Sequence, residues 1–197
     1  MSKLAHKLGE FSFQHYQSWP EHERWQLLDG QAFAMAPPSW SHQSVVFELG
    51  AQLRNALQGH PCQARVAPVG VRLPKHDEAD EHIRTVFEPD LFIVCDASKI
   101  DAKGVRGAPD VIFEVLSPST ADFDQIEKRA AYERAGVREL WFIDAASGVI
   151  TIFRHSGDSF ATPDYRRAEG TLEVHAIPGL KLELDFMKAL RATPESI

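Results

Sequence analysis

The sequence predicts an α/β fold, an α+β arrangement in which helices flank a mixed β-sheet. Two observations carry this. Apolar strand-like runs and two amphipathic stretches of helical period alternate in the order strand, strand, helix, three strands, helix, two strands. The twelve Gly and twelve Pro are spread along the 197 residues, so no linker or low-complexity segment divides the chain, and no internal repeat is visible. With 44% hydrophobic residues the chain can build one sizeable core, and a single domain over residues 1–197 is expected, with an N-terminal helix and hairpin (about residues 11–36) as an extension.

The elements follow in order. "FSFQHYQSWPEHE" reads as a short helix stopped near Pro20, and "RWQLLDGQAFAMAP" as a hairpin whose Asp29-Gly30 pair suits a type I′ turn. From Ser41 to Gly59 the apolar residues 45, 46, 49, 53, 56 and 57 keep a helical period, and His42 falls on that apolar face, pointing inward. "CQARVAPVGVRLP" alternates as a strand. "KHDEADEHIRT" is charged, matches no ordered ligand set and is expected to be a solvated, mobile loop. "VFEPDLFIVCD" and "APDVIFEVLS" read as the next two strands. The turn Ser117-Pro118-Ser119-Thr120 supplies a helix N-cap, and "ADFDQIEKRAAYERAG" a helix ending at Gly136. Further strands are expected at "RELWFIDA", "VITIFRH", "TLEVHA" and "LKLEL".

Charge and cysteine usage narrow the function classes. A net charge of −7 is the wrong sign for a protein that coats nucleic acid nonspecifically, so any phosphate contact must be local. The N-terminal "MSKLAHKLGEF" lacks the apolar stretch of a signal peptide, and no window is apolar enough for a membrane span; a soluble, cytoplasmic protein is expected. Cys62 and Cys95 occupy unrelated strand-like contexts without C-x-x-C spacing, which suggests buried free thiols rather than a disulfide framework or a thiolate zinc site.

The candidate chemistry lies in two acids and a lysine. Asp90 follows Pro89 at the start of an apolar strand, and Glu114 interrupts the next one, "VIFEVL". If neighbouring strands carry them at similar height, two carboxylates converge and can hold a divalent cation, which compensates for burying them. The competing reading has Glu114 at the sheet edge or paired with an arginine. Glu114 lies three residues before Ser117, about 10 Å along a strand, and Lys128 eight residues beyond Thr120, about 12 Å along a helix. A helix packed antiparallel to its preceding strand therefore returns Lys128 to the level of Glu114. Asp124, Lys128 and Tyr132 share one helical stripe, although an ordinary solvent-facing Asp-Lys pair fits the spacing too.

The stretches "PDVIFEVLSPST", Asp124, Lys128 and Tyr132, and "AGVRELWFID", with the earlier "RWQLLDGQAFAMAPPSWSHQ" and "EPDLFIVCD", resemble the Uma-type "putative restriction endonuclease" family of the PD-(D/E)xK nuclease superfamily over nearly the whole chain. The resemblance implies a restriction-endonuclease-like core with Asp90, Glu114 and Lys128 as catalytic residues. The superfamily pattern places lysine two residues after the glutamate, where this chain has Leu116; as in the family, Lys128 on the adjacent helix would replace it. The family often has acids where this chain has Gln26 and Gln31, so any help those acids give a metal is missing here.

The activity so implied is phosphodiester hydrolysis in DNA. Asp90, Glu114 and, as a further candidate, the Val115 carbonyl would hold Mg²⁺ or Mn²⁺, and Lys128 would orient or deprotonate the attacking water. His42 would sit behind a ligand or contact substrate, or be a hydrogen-bonded core residue; Tyr132 would bond a carboxylate or simply pack. Arg129, Arg72 and Arg65 are candidate phosphate contacts, with surface solvation as the alternative for each. A homodimer is expected, with apolar strand edges in "DYRRAEGTLEVHAIPGLKLEL" available for pairing. Two other functions compete: a catalytically idle nuclease-like binding or assembly module, favoured by the acidic surface and the two glutamines, and a small-molecule phosphodiesterase.

Overall fold

The computed structural model describes residues 6–7, 9–20, 22–118 and 121–192. Its elements run β1 (His6–Lys7), α1 (Phe13–Tyr16), β2 (Trp25–Leu28), β3 (Gln31–Ala34), α2 (Trp40–Ala56), β4 (Gln63–Val66), β5 (Val71–Arg72), β6 (Val86–Phe87) and β7 (Leu91–Val94). They continue with β8 (Ile100–Asp101), β9 (Gly104–Arg106), β10 (Val111–Leu116), a π-helical segment Phe123–Lys128 leading into α3 (Arg129–Ala135), β11 (Glu139–Asp144) and β12 (Val149–Ser156). The C-terminal part holds β13 (Ser159–Phe160), β14 (Asp164–Arg167), β15 (Thr171–Glu173), β16 (Lys181–Glu183) and α4 (Phe186–Ala192).

The mixed α+β class holds, but the strands divide between two large sheets. One has the order β1-β3-β2-β6-β5-β9-β8; the other has the order β13-β12-β11-β10-β7-β4, with β14 also on β12; β15 and β16 form a separate pair. In the second sheet β10 and β11 run parallel, joined by the helix between them, while β7 and β12 flank them antiparallel. The two strands read as continuous from sequence are each broken. "CQARVAPVGVRLP" becomes β4 in the second sheet and β5 in the first, and "VFEPDLFIVCD" becomes β6 in the first and β7 in the second. Pro68 and Pro89 lie at the breaks, where a residue without an N–H cannot donate to a ladder. Each break is thus a crossing between the sheets, and Asp90 sits at the one between β6 and β7.

Alternation along β10 sorts its side chains. Val111, Phe113 and Val115 join Leu91, Ile93, Trp141 and Ile143 in a core roofed by Val45, Val46, Leu49 and Leu53 of α2. Ile112 turns the other way, with Phe92, Leu140 and Phe142, toward Tyr132 of α3 and the first sheet. Glu114 shares the parity of Ile112, so the buried acid faces α3 rather than α2. The hairpin is as expected: Asp29 (φ 48°) and Gly30 (φ 87°) both take left-handed conformations, as a type I′ turn requires.

Other expectations need correction. Cys62 and Cys95 are not separate thiols but a disulfide, because the β4–β7 register sets Gln63 opposite Val94 and so brings the next pair, Cys62 and Cys95, together. The charged segment 75–85 is not simply a solvated loop: Asp80 joins Asp101 in pairing with Arg72, which is wholly buried, and also accepts from Arg106 at 2.9 Å. Arg72 is thereby removed as a phosphate contact. Of the C-terminal stretch, Leu180, Leu182 and Leu184 are buried in the molecule's own core, while Tyr165 on β14 is exposed. The predicted N-cap residues Ser119 and Thr120 lie outside the described residues, as does the start of "MSKLAHKLGEF". Among the described residues no helix is long and apolar enough to cross a membrane.

Candidate active site

The β7–β10 register runs Ile93, Phe92, Leu91 against Val111, Ile112, Phe113. Continued by one residue, it sets Asp90 level with Glu114, on the same face of the sheet. Asp90 Oδ2 accepts the Val115 N–H at 2.8 Å and bonds His42 Nε2 at 3.1 Å. The inward-pointing histidine is therefore hydrogen-bonded to the candidate acid Asp90. Burial works against its charge, but the bond to Asp90 and the nearby Glu114 and Asp124 outweigh burial and raise the His42 pKa.

Glu114 is 2% exposed. Its Oε1 accepts from Tyr132 Oη at 2.6 Å and from Lys128 Nζ at 3.1 Å. The Lys128 ammonium also lies 3.0 Å from Asp124, and all three side chains are buried. This rules out the solvent-facing Asp-Lys pair and the arginine partner for Glu114. Burial, opposed by Lys128 but reinforced by Asp90 and Asp124, pushes the Glu114 carboxyl up to about 7. Burial also acts against the Lys128 charge, but the carboxylates of Asp124, Glu114 and Asp90 dominate and hold its pKa above the ordinary lysine value. Burial, then Glu114, raise that of Tyr132. Lys128 ends the π-helical segment and Tyr132 lies one turn on, so both reach β10 from the packed face of one helix. A π-helical turn is a frequent mark of functional segments.

Each acid commits one oxygen to protein donors. Among the described residues no hydrogen bond reaches Asp90 Oδ1 or Glu114 Oε2. Glu139, buried on β11, shows the structural alternative: its Oε1 and Oε2 are taken by the Trp141 indole and the Ala176 N–H. Asp90, Glu114, Val115, Asp124 and Lys128 line one cavity of about 190 Å³, together with His42, Gln26, Arg24 and Glu88. No three His, Cys, Asp or Glu side chains among the described residues close a metal cage. Two converging carboxylates with free oxygens nevertheless fit Mg²⁺ or Mn²⁺, hard cations that take oxygen ligands and, in the case of Mg²⁺, keep several waters.

The profile of the family described as "Uma2: Putative restriction endonuclease" matches residues 13–185. The chain belongs to this family. The "Uncharacterized protein slr1290" of Synechocystis sp. is 24% identical over 182 residues, which cover 90% of this chain and 91% of the relative. A crystal structure described as "a putative nuclease belonging to DUF820" from Anabaena variabilis superposes with a TM-score of 0.70 at 16% identity, covering 92% of this chain and 98% of that one; it shares the fold.

For this Uma2-family chain, the structure brings together every residue singled out as catalytic or ligating: Asp90, Glu114, Val115 and Lys128, with His42, Asp124 and Tyr132 around them. It does not bring the other arginines there. Arg129 pairs with Glu133 and stands over Phe153, and Arg65 bonds Gln63 and the Ala64 carbonyl on β4. The arginine at the cavity is one that the sequence reading missed, Arg24, held at 2.8 Å by Glu88, which also accepts from Tyr16. Period-two alternation into β2 was the available signal, since it turns Arg24 and Gln26 to the same side. Of the two glutamines, Gln31 is exposed on the hairpin while Gln26 is buried in the site.

Proposed function

We propose that the protein is a cytoplasmic, divalent-metal-dependent endonuclease that hydrolyses phosphodiester bonds in DNA. The observation that carries this reading is the convergence of Asp90 and Glu114, each with one oxygen free, beside a buried lysine ammonium. Asp90, Glu114 and the Val115 carbonyl would hold the cation; a strand residue's C=O leaves on the same edge as its N–H, and the Val115 N–H already points at Asp90. Held by these residues, Mg²⁺ or Mn²⁺ would supply the Lewis acidity that activates water and offsets charge on the phosphate.

The chain's own groups do the rest. Val115 and His42 fix the Asp90 carboxylate, and Tyr132 fixes that of Glu114. The Lys128 ammonium, anchored by Asp124, orients the attacking water and stabilises negative charge as it grows on the phosphate. Arg24, paired with Glu88 at the cavity, is the guanidinium placed to meet a phosphate there. The cavity volume of about 190 Å³ favours a polymer over a small phosphodiester, because it falls short of the roughly 300–1,000 Å³ of pockets that engulf small ligands.

Titration calorimetry with Mn²⁺ tests the cation site. Wild type is expected to bind, and Asp90→Ala to lose at least about 10-fold in affinity; equal binding by both would contradict the assignment. Cutting both strands of a duplex calls for two catalytic sets, and a two-fold homodimer is the commonest way to supply them. Light scattering is expected to show a dimer, and a monomer at high concentration would refute it.

A further inference from the structure

Gln26 lies on β2 and is 3% exposed. Leu27 packs into the N-terminal cluster with Phe13 and Ile83, so Gln26 points the other way, into the cavity that Asp90, Glu114 and Lys128 line. Its carbonyl oxygen, Oε1, is buried and has no hydrogen-bond partner among the described residues. A buried acceptor left unpaired costs about 1–3 kcal/mol. No compensation comes from the cation already in the cavity, because the Lys128 ammonium is engaged by Asp124 and Glu114. An amide carbonyl is a neutral hard donor of the kind that Mg²⁺ and Mn²⁺ accept, directly or through a bound water.

We propose that Gln26 Oε1 completes the oxygen set of the cation held by Asp90 and Glu114. The assignment rests on the cation site of the preceding section and deepens it. Its neutrality has a consequence: the cavity already gathers Asp90, Glu114 and Asp124 around Lys128 and His42, with Glu88 paired to Arg24, and an amide adds a ligand without a further negative charge.

The test compares wild type, Gln26→Met and Gln26→Glu by Mn²⁺ calorimetry without nucleic acid and by thermal unfolding without metal. Gln26→Met keeps the volume and removes the acceptor; it is expected to bind Mn²⁺ about 10-fold more weakly while unfolding at the wild-type temperature or above. Gln26→Glu is expected to bind Mn²⁺ more tightly and, without metal, to unfold at a lower temperature, because a further carboxylate is then buried. Wild-type Mn²⁺ affinity in Gln26→Met would overturn the proposal. So would a loss of metal-free stability in that variant, which would make the amide a structural group. Should wild type itself fail to bind Mn²⁺, the cation site falls, and this ligand with it.

Discussion

Lys128→Met is expected to lower DNA cleavage by about 10²-fold or more while leaving Mn²⁺ binding undiminished. The lysine touches both Glu114 and Asp124 at hydrogen-bond distance and is itself 4% exposed. An ammonium is no metal ligand, so its removal takes nothing from the cation's coordination and relieves repulsion toward it. Without metal, however, the variant takes away the ammonium that pairs with both buried carboxylates, and deleting one partner of a buried pair costs about 3–5 kcal/mol. The metal-free variant should therefore unfold at lower temperature than wild type, and Mn²⁺ should raise its unfolding temperature by more than it raises that of wild type. Unimpaired turnover would make Lys128 a structural counter-charge only.

Asp80→Ala should lower unfolding stability by about 3–5 kcal/mol, measured in urea, and more than either Arg72→Met or Asp101→Ala. The order follows from what each change leaves behind. Arg72 is wholly buried, whereas the side chains of Asp80 and Asp101 are 23% and 45% exposed. Losing Asp80 leaves the buried guanidinium with Asp101 as its one carboxylate and takes the carboxylate from Arg106, which keeps the Glu78 carbonyl. Arg72→Met removes the buried charge itself and leaves two carboxylates that water reaches, one still held by Arg106. Asp101→Ala leaves Arg72 with Asp80. A loss below about 1 kcal/mol for Asp80→Ala, the range of an exposed pair, would show that the cluster contributes as a surface network.

Most of the site was legible because it is local in sequence. The spacing from Glu114 through the turn to Lys128 and Tyr132 depends only on strand and helix rise, and His42 on an apolar helical face needs only the helical period. What escaped depends on which strands become neighbours. The Cys62–Cys95 bridge follows from the β4–β7 register, and Arg72 became a core residue only because Asp80 and Asp101 fold over it from different segments. The division into two sheets was partly signalled: Pro68 and Pro89 interrupt the two runs that switch sheets, and a proline within a strand-like run argues against continuity. Gln26 stood in the sequence only as a missing acid; its burial beside Asp90 and Glu114 is visible once β2 is set against the second sheet.

If Asp90 and Glu114 hold the cation needed to hydrolyse DNA, removing the metal or a ligand must abolish cleavage. Cleavage of plasmid and single-stranded DNA by purified wild type and Glu114→Ala, with Mg²⁺, with Mn²⁺ and with chelator, tests it most directly. Wild type is expected to cleave only with the divalent cation, and Glu114→Ala not at all. Cleavage that persists equally in Glu114→Ala, or a folded wild type that binds Mn²⁺ yet leaves every DNA substrate intact, would contradict it.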